Sequence, residues 1–147
     1  MTIHLLKLCV GCDSVQDLAE WQVERLGELK RAGKKPELCH RTLQTPKRAG
    51  EILDGGSLYW VIKGFILVRQ QILELRPDRK DDGRACCGIV LDRKLVTTRP
   101  QARRAFQGWR YLPVEDAPSD RRAVRNEDTE MPPAMRAALR ELRLIDF

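Results

Sequence analysis

Catalytic signatures are scarce in this chain. It carries two histidines, His4 and His40, so a histidine-dependent mechanism has few places to live. There is no glycine-rich phosphate loop, no G-x-S-x-G elbow and no paired-carboxylate motif. Internal repeats and low-complexity tracts are absent as well. Aromatic residues make up only 5% of the chain, so any place where rings gather stands out. No apolar run is long enough to span a bilayer. The most apolar stretch, 57–75, is broken by Lys63, Arg69, Gln70, Gln71 and Glu74, short of the ~20 predominantly apolar residues required, and reads as core. The start MTIHLLKLCVGC lacks both a basic leader region and an A-x-A cleavage site, so the expectation is a cytosolic protein with no membrane partner.

What is present is charge, unevenly spread. With 147 residues the chain matches one domain and can bury a core without metal or disulfide staples. Hydrophobic residues account for 42% and charged residues for 33%, a composition that folds. The formal net charge is +6, yet 84–111 alone holds seven basic residues against Asp92, and 25–50 holds eight against Glu28 and Glu37. The compensating acid lies largely in 115–130. Basic clusters of this kind suit an anionic partner, most often nucleic acid, through phosphate neutralisation and counterion release; a solvated basic face without a partner is the plain alternative.

Periodicity gives the element order. Ile3 to Val10 reads as a buried strand. Asp13 or Ser14 then caps a helix with Val15, Leu18, Ala19, Leu26 and Leu29 on one face, Ser14 and Asp17 forming a capping-box-like start and Gly33 a stop. Trp21 falls off that stripe. Leu38 to Leu43 reads as a short strand and Pro46 to Leu53 as a helical turn ended by Asp54-Gly55-Gly56. Leu58 to Ile62 and Phe65 to Leu75 predict two strands, or one bent at Gly64, and Ala85 to Leu91 another that continues through Val96. LPVEDAPSD discourages regular structure. Pro132 and Pro133 open a final helix with Met135, Ala138, Leu139 and Leu142 on one face. The order predicts an α+β domain on a mixed, mainly antiparallel sheet.

Several residues are candidates for chemistry. Cys9 and Cys12 form a C-x-x-C between strand and helix, where a helix N-terminus lowers a thiol pKa. The same pair could join Cys39, His40, Cys86 and Cys87 around zinc, but adjacent Cys86 and Cys87 point to opposite faces of a strand, and free cysteines are commonly small buried hydrophobes. No metal and no cofactor is therefore assigned. Lys63 and Glu74 lie on apolar strands, where burial could shift their pKa values. The richest stretch is RRAFQGWRYL, 103–112. Its arginines can pair with phosphates, Trp109 and Tyr111 can stack on bases, Gln107 can read a base edge, and Gly108 allows close approach. Phe106 is assigned to the core. The alternative is that Trp109 and Leu112 also face inward while the arginines face water.

HLLKLCVG, GSLYWVIKGFILVRQQI and RRAFQGWRYLPVEDAPSD together resemble the alphaproteobacterial domain-of-unknown-function family 1489 over nearly the whole chain. Members of that family tend to carry Ala where Cys12 stands. The resemblance implies no particular activity. YWVIKG followed by Arg69 also resembles the early strands of the PUA, ASCH and EVE folds, small mixed barrels that bind RNA or modified bases. That similarity implies a barrel-like sheet and carries over Lys63 and Arg69 as cleft residues. Through the amidohydrolases among the ASCH relatives, it also implies Lys63 and Glu74 as a catalytic pair. The expectation from all of this is a PUA-like α+β domain flanked by N- and C-terminal helices. It would bind RNA or another single-stranded nucleic acid through Lys63, Arg69, Arg103, Arg104, Gln107, Trp109, Arg110 and Tyr111. A small hydrolase and a protein-binding module are the other two readings.

Overall fold

The computed structural model describes residues 1–121. The C-terminal helix expected after Pro132 lies outside the described residues. The elements are β1 (Ile3–Leu8), α1 (Val15–Arg31), β2 (Leu38–Thr42), α2 (Ala49–Ile52), β3 (Ser57–Ile62), β4 (Phe65–Arg79), β5 (Ala85–Leu91), β6 (Val96–Ala102) and β7 (Trp109–Pro113), followed by a 3-10 turn at Val114–Asp116.

Helix α1 begins where the sequence says it should. Ser14 is its N-cap, with extended backbone and an Oγ that accepts from the Asp17 N–H at 3.1 Å. The Asp17 carboxylate reaches past the cap to the Asp13 N–H, at 2.9 Å. At the other end Gly33 takes φ +72°, in the left-handed region a helix stop requires.

Among the described residues seven strands form one mixed sheet, six in the order β2-β5-β4-β3-β1-β7 and β6 off that path beside β4. Among the described strands only β1 and β3 pair in parallel, and the other pairings are antiparallel. Strand β4 is the spine. One edge pairs with β3, while β5 and then β6 lie end to end along the other, so Arg79 meets Ala85 at one extreme and Phe65 meets Ala102 at the opposite one. The run expected to continue from Ala85 past Val96 is thus two strands, β5 and β6. The sheet is not closed: β2 and β7 end the order without meeting. The barrel-like sheet expected from the sequence is corrected to an open one, because β1 inserts between β3 and β7 instead of sealing an edge.

Both faces of the middle strands are covered. Leu5, Leu58, Trp60, Ile62, Val68 and Ile72 pack with Leu18 and Ala19 of α1 into the larger core. Leu6, Tyr59, Val61, Ile66 and Leu112 form a smaller one on the reverse face, joined by the half-buried Phe106. This explains why β3 is buried at every position and reads as a continuous apolar run, not an alternating one. Within the larger core, the Gln22 and Gln70 amides pair reciprocally at 2.8 and 3.0 Å. Gln70 also accepts from Trp60 Nε1 at 2.9 Å and donates to the Asp92 carbonyl at 2.9 Å.

Candidate functional site

The segment from Arg103 to Leu112 sits at one end of the sheet. That end is formed by the last residues of β1, β3 and β6 and the first of β4 and β7. Lys63 and Gly64 make the two-residue β3–β4 turn there, both with positive φ (50° and 85°), and the Arg103 N–H donates to the Gly64 carbonyl at 2.8 Å. The turn therefore sets the backbone of Lys63 close to that of Arg103. Lys63 is exposed, with its ammonium 3.7 Å from the Asp13 carboxylate. The Arg103 guanidinium donates to Gln101 Oε1 at 2.8 and 3.1 Å. Arg104 is exposed and forms no hydrogen bond or ion pair among the described residues.

Strand alternation divides the rest of the segment. Trp109 and Tyr111 face the α1 side, whereas Arg110 and Leu112 face the reverse side. Arg110 lies over the Phe106 ring at 5.2 Å and donates to the carbonyls of Gln107 and Trp109 at 2.7 and 2.9 Å. Gln107 is exposed beside it. The rings on the other face are engaged by the protein itself. Trp109 Nε1 donates to the Gln44 carbonyl at 2.7 Å, and its ring meets Tyr111 edge-on at 4.8 Å. The Tyr111 hydroxyl accepts from the N–H groups of Lys47 and Arg48 at 3.1 and 3.2 Å, and the Arg48 guanidinium lies over its ring at 5.4 Å. The two rings clasp the 43–48 loop. The arrangement in which Trp109, Tyr111 and Arg110 line one groove is not formed.

Arg69 shares the reverse face with Arg110. Register places Arg69, Tyr59, Leu6 and Arg110 in one row across four strands, which puts the two arginines about 14 Å apart at the usual interstrand spacing. Arg69 holds Asp120 through two bonds of 2.7 Å and donates to Ser57 Oγ at 3.0 Å. Next to this group His4 Nδ1 accepts from the Ser57 N–H at 3.0 Å, and burial followed by the Arg69 charge holds its pKa below the usual histidine range, with Asp120 opposing.

The hydrolase pair does not assemble. Lys63 stands at the turn before β4, and Glu74 lies eleven residues further on, nine of them along that strand, roughly 30 Å at 3.3 Å per residue. Glu74 is tied to Arg76, which also grips Glu37. The cysteines likewise stay apart from a metal geometry: among the described residues no group of three or more His, Cys, Asp or Glu side chains could hold an ion. Burial first, then the hydrogen bond to Cys12 and the charge of Asp17, pushes the Cys9 thiol well above its ordinary range, the reverse of what a helix N-terminus was expected to do.

One feature of the α1 face draws on segments far apart in the sequence. A cavity of about 520 Å³ lies among Lys7, Cys9, Cys12, Trp21, His40 and Trp60. The sequence signals that touch it are the Cys9, Cys12 and His40 candidates and Trp21, which stands off the apolar stripe of α1 and is 53% exposed.

The family model described as "Protein of unknown function (DUF1489)" matches residues 5–145. The chain belongs to the DUF1489 family. No curated protein and no solved structure matches it. Among the described residues of this DUF1489 protein, no helix is long and apolar enough to cross a membrane.

Proposed function

We propose that this DUF1489 protein is a nucleic-acid-binding module that takes single strands, RNA foremost, along the margin formed by Lys63, Arg103, Arg104, Gln107 and Arg110. The observation that carries the reading is that Arg103, Arg104 and Arg110 have no carboxylate partner among the described residues, whereas Arg41, Arg48, Arg69, Arg76 and Arg84 all do. Cations left unneutralised on a connected margin attract a polyanion and release its counterions when it binds. Arg110 is already oriented by Phe106 and two carbonyls, so little side-chain freedom is lost when it meets a phosphate or the face of an unstacked base. A single strand supplies such faces and a duplex does not, which sets the preference. Trp109 and Tyr111 support the margin from behind by anchoring the 43–48 loop.

The test is fluorescence anisotropy with labelled single-stranded RNA, single-stranded DNA and duplex DNA over a range of salt. Binding should weaken steeply with salt. The double variant Arg103→Ala/Arg104→Ala should lower the salt slope by about 1.4, at ~0.7 per phosphate contact on a single strand. An unchanged slope, or no binding of any nucleic acid at low salt, overturns the proposal.

A further inference from the structure

The cavity on the α1 face is built from groups that the nucleic-acid reading leaves unused. Trp60 forms part of its wall and meets the His40 ring edge-on at 5.2 Å, while the exposed Trp21 ring borders the same space. His40 Nε2 is buried and has no hydrogen-bond partner among the described residues. Such an atom stands out in a folded protein, where nearly all buried polar groups are satisfied. Burial first, then the charges of Lys7 and Lys80, holds His40 down at about 4, so the ring is neutral near pH 7, and its unsatisfied nitrogen, which has almost no accessible surface, meets a ligand only once the side chains around it shift. Lys7 has no ion-pair partner among the described residues, while Lys80 interacts with the carboxylate of Asp82. Arg41 also borders the cavity but is engaged by Asp78 and Asp81, and Asp17 on the wall is engaged by the Asp13 N–H. Cys9 and Cys12 also line the cavity, and burial holds the Cys9 thiol protonated.

We infer that this cavity is a binding site for a small planar heteroaromatic anion, its ring against Trp21 and Trp60, its ring nitrogen or hydroxyl bonded to His40 Nε2 and its carboxylate on Lys7. The size falls within the range that encloses one small ligand. The ring walls select a flat molecule, the orphaned imidazole nitrogen selects one with a polar ring edge, and the unpaired ammonium selects negative charge. The site is separate from the arginine margin in its residues and rests on none of the reasoning for it.

The test is calorimetric titration with three probes: quinoline carboxylate, its uncharged carboxamide, and naphthalene carboxylate, which lacks the ring nitrogen. In the wild type the quinoline acid should bind about tenfold tighter than either of the others, the usual worth of one buried hydrogen bond or charge contact. Lys7→Met should erase the preference for acid over amide. His40→Leu, which keeps the volume, should erase the preference for quinoline over naphthalene. Circular dichroism verifies that each variant is folded. Arg103→Ala/Arg104→Ala should leave all three affinities unchanged, which separates this site from strand binding. Absence of binding by the quinoline acid in the millimolar range, preferences that survive both cavity variants, or loss of binding in the arginine variant would each overturn the inference.

Discussion

At the scale of single residues, Gln70 and His40 show opposite treatments of a buried polar group. Gln70 uses its whole amide: two donors reach its oxygen, and its nitrogen reaches two acceptors. Gln70→Leu keeps the bulk but strands the Gln22 amide, the Trp60 N–H and the Asp92 carbonyl, and is expected to lower stability by about 3 kcal/mol, read as a drop in the urea midpoint at unchanged m-value. The half-buried His40 has a buried Nε2 with no partner among the described residues, and its proton affinity is depressed by burial and then by the charges of Lys7 and Lys80. Its folded-state pKa of about 4 lies below the unfolded value of 6.5, so in the window between them the unfolded chain binds the additional proton. Stability is therefore full above about 6.5 and lost as pH falls toward 4, a loss on the order of 3 kcal/mol for a shift of this size. His4, also depressed, acts in the same sense. Urea titrations at pH 7 and pH 4.5 should show this loss, and His40→Leu should remove most of the difference.

At the scale of elements, the β3–β4 hairpin carries a small conflict between stability and charge. Lys63 occupies the first position of a two-residue turn at φ 50°, a region where Asn and Gly are at ease and a long side chain is not. Lys63→Asn is expected to raise the melting temperature by a degree or two, from a few tenths of a kcal/mol, while weakening the strand affinity proposed above; calorimetry and anisotropy on one preparation check both. Much of the element list was legible because its signals are local. Ser14 and Gly33 bracket α1, the dipeptide Lys63-Gly64 breaks two apolar runs, and Asp54-Gly55-Gly56 ends α2. Gly56 could not be anything larger, since a Cβ there would sit 2.3 and 2.5 Å from the carbonyl oxygens of Ile52 and Ile3. Register was not legible. That Trp109 and Tyr111 face away from Arg110 follows from strand alternation only once β7 is known to be a strand, and Gly108 and Pro113 at its ends disguise it. The cavity was hidden for a different reason: Lys7, Trp21, His40 and Trp60 come from four elements, and no spacing in the sequence links them.

At the scale of the whole molecule, β4 organises the sheet and β1 joins its two halves. Strand β1 takes β3 on one side and β7 on the other, so Leu6 lies in a row with Tyr59 and Arg110. Its pairing with β7 spans about a hundred residues of chain, a non-local contact of the kind that slows folding. Removing residues 109–147 should expose the Leu6, Tyr59 and Val61 face together with an unpaired strand edge; the fragment is expected to pellet in sedimentation assays under conditions where the full chain stays dispersed. The same geometry bears on biosynthesis. A ribosome releases β1 about a hundred residues before β7, so over that interval the nascent chain carries a greasy strand whose β7 flank is open, and a holdase that shields such segments is the helper this topology calls for.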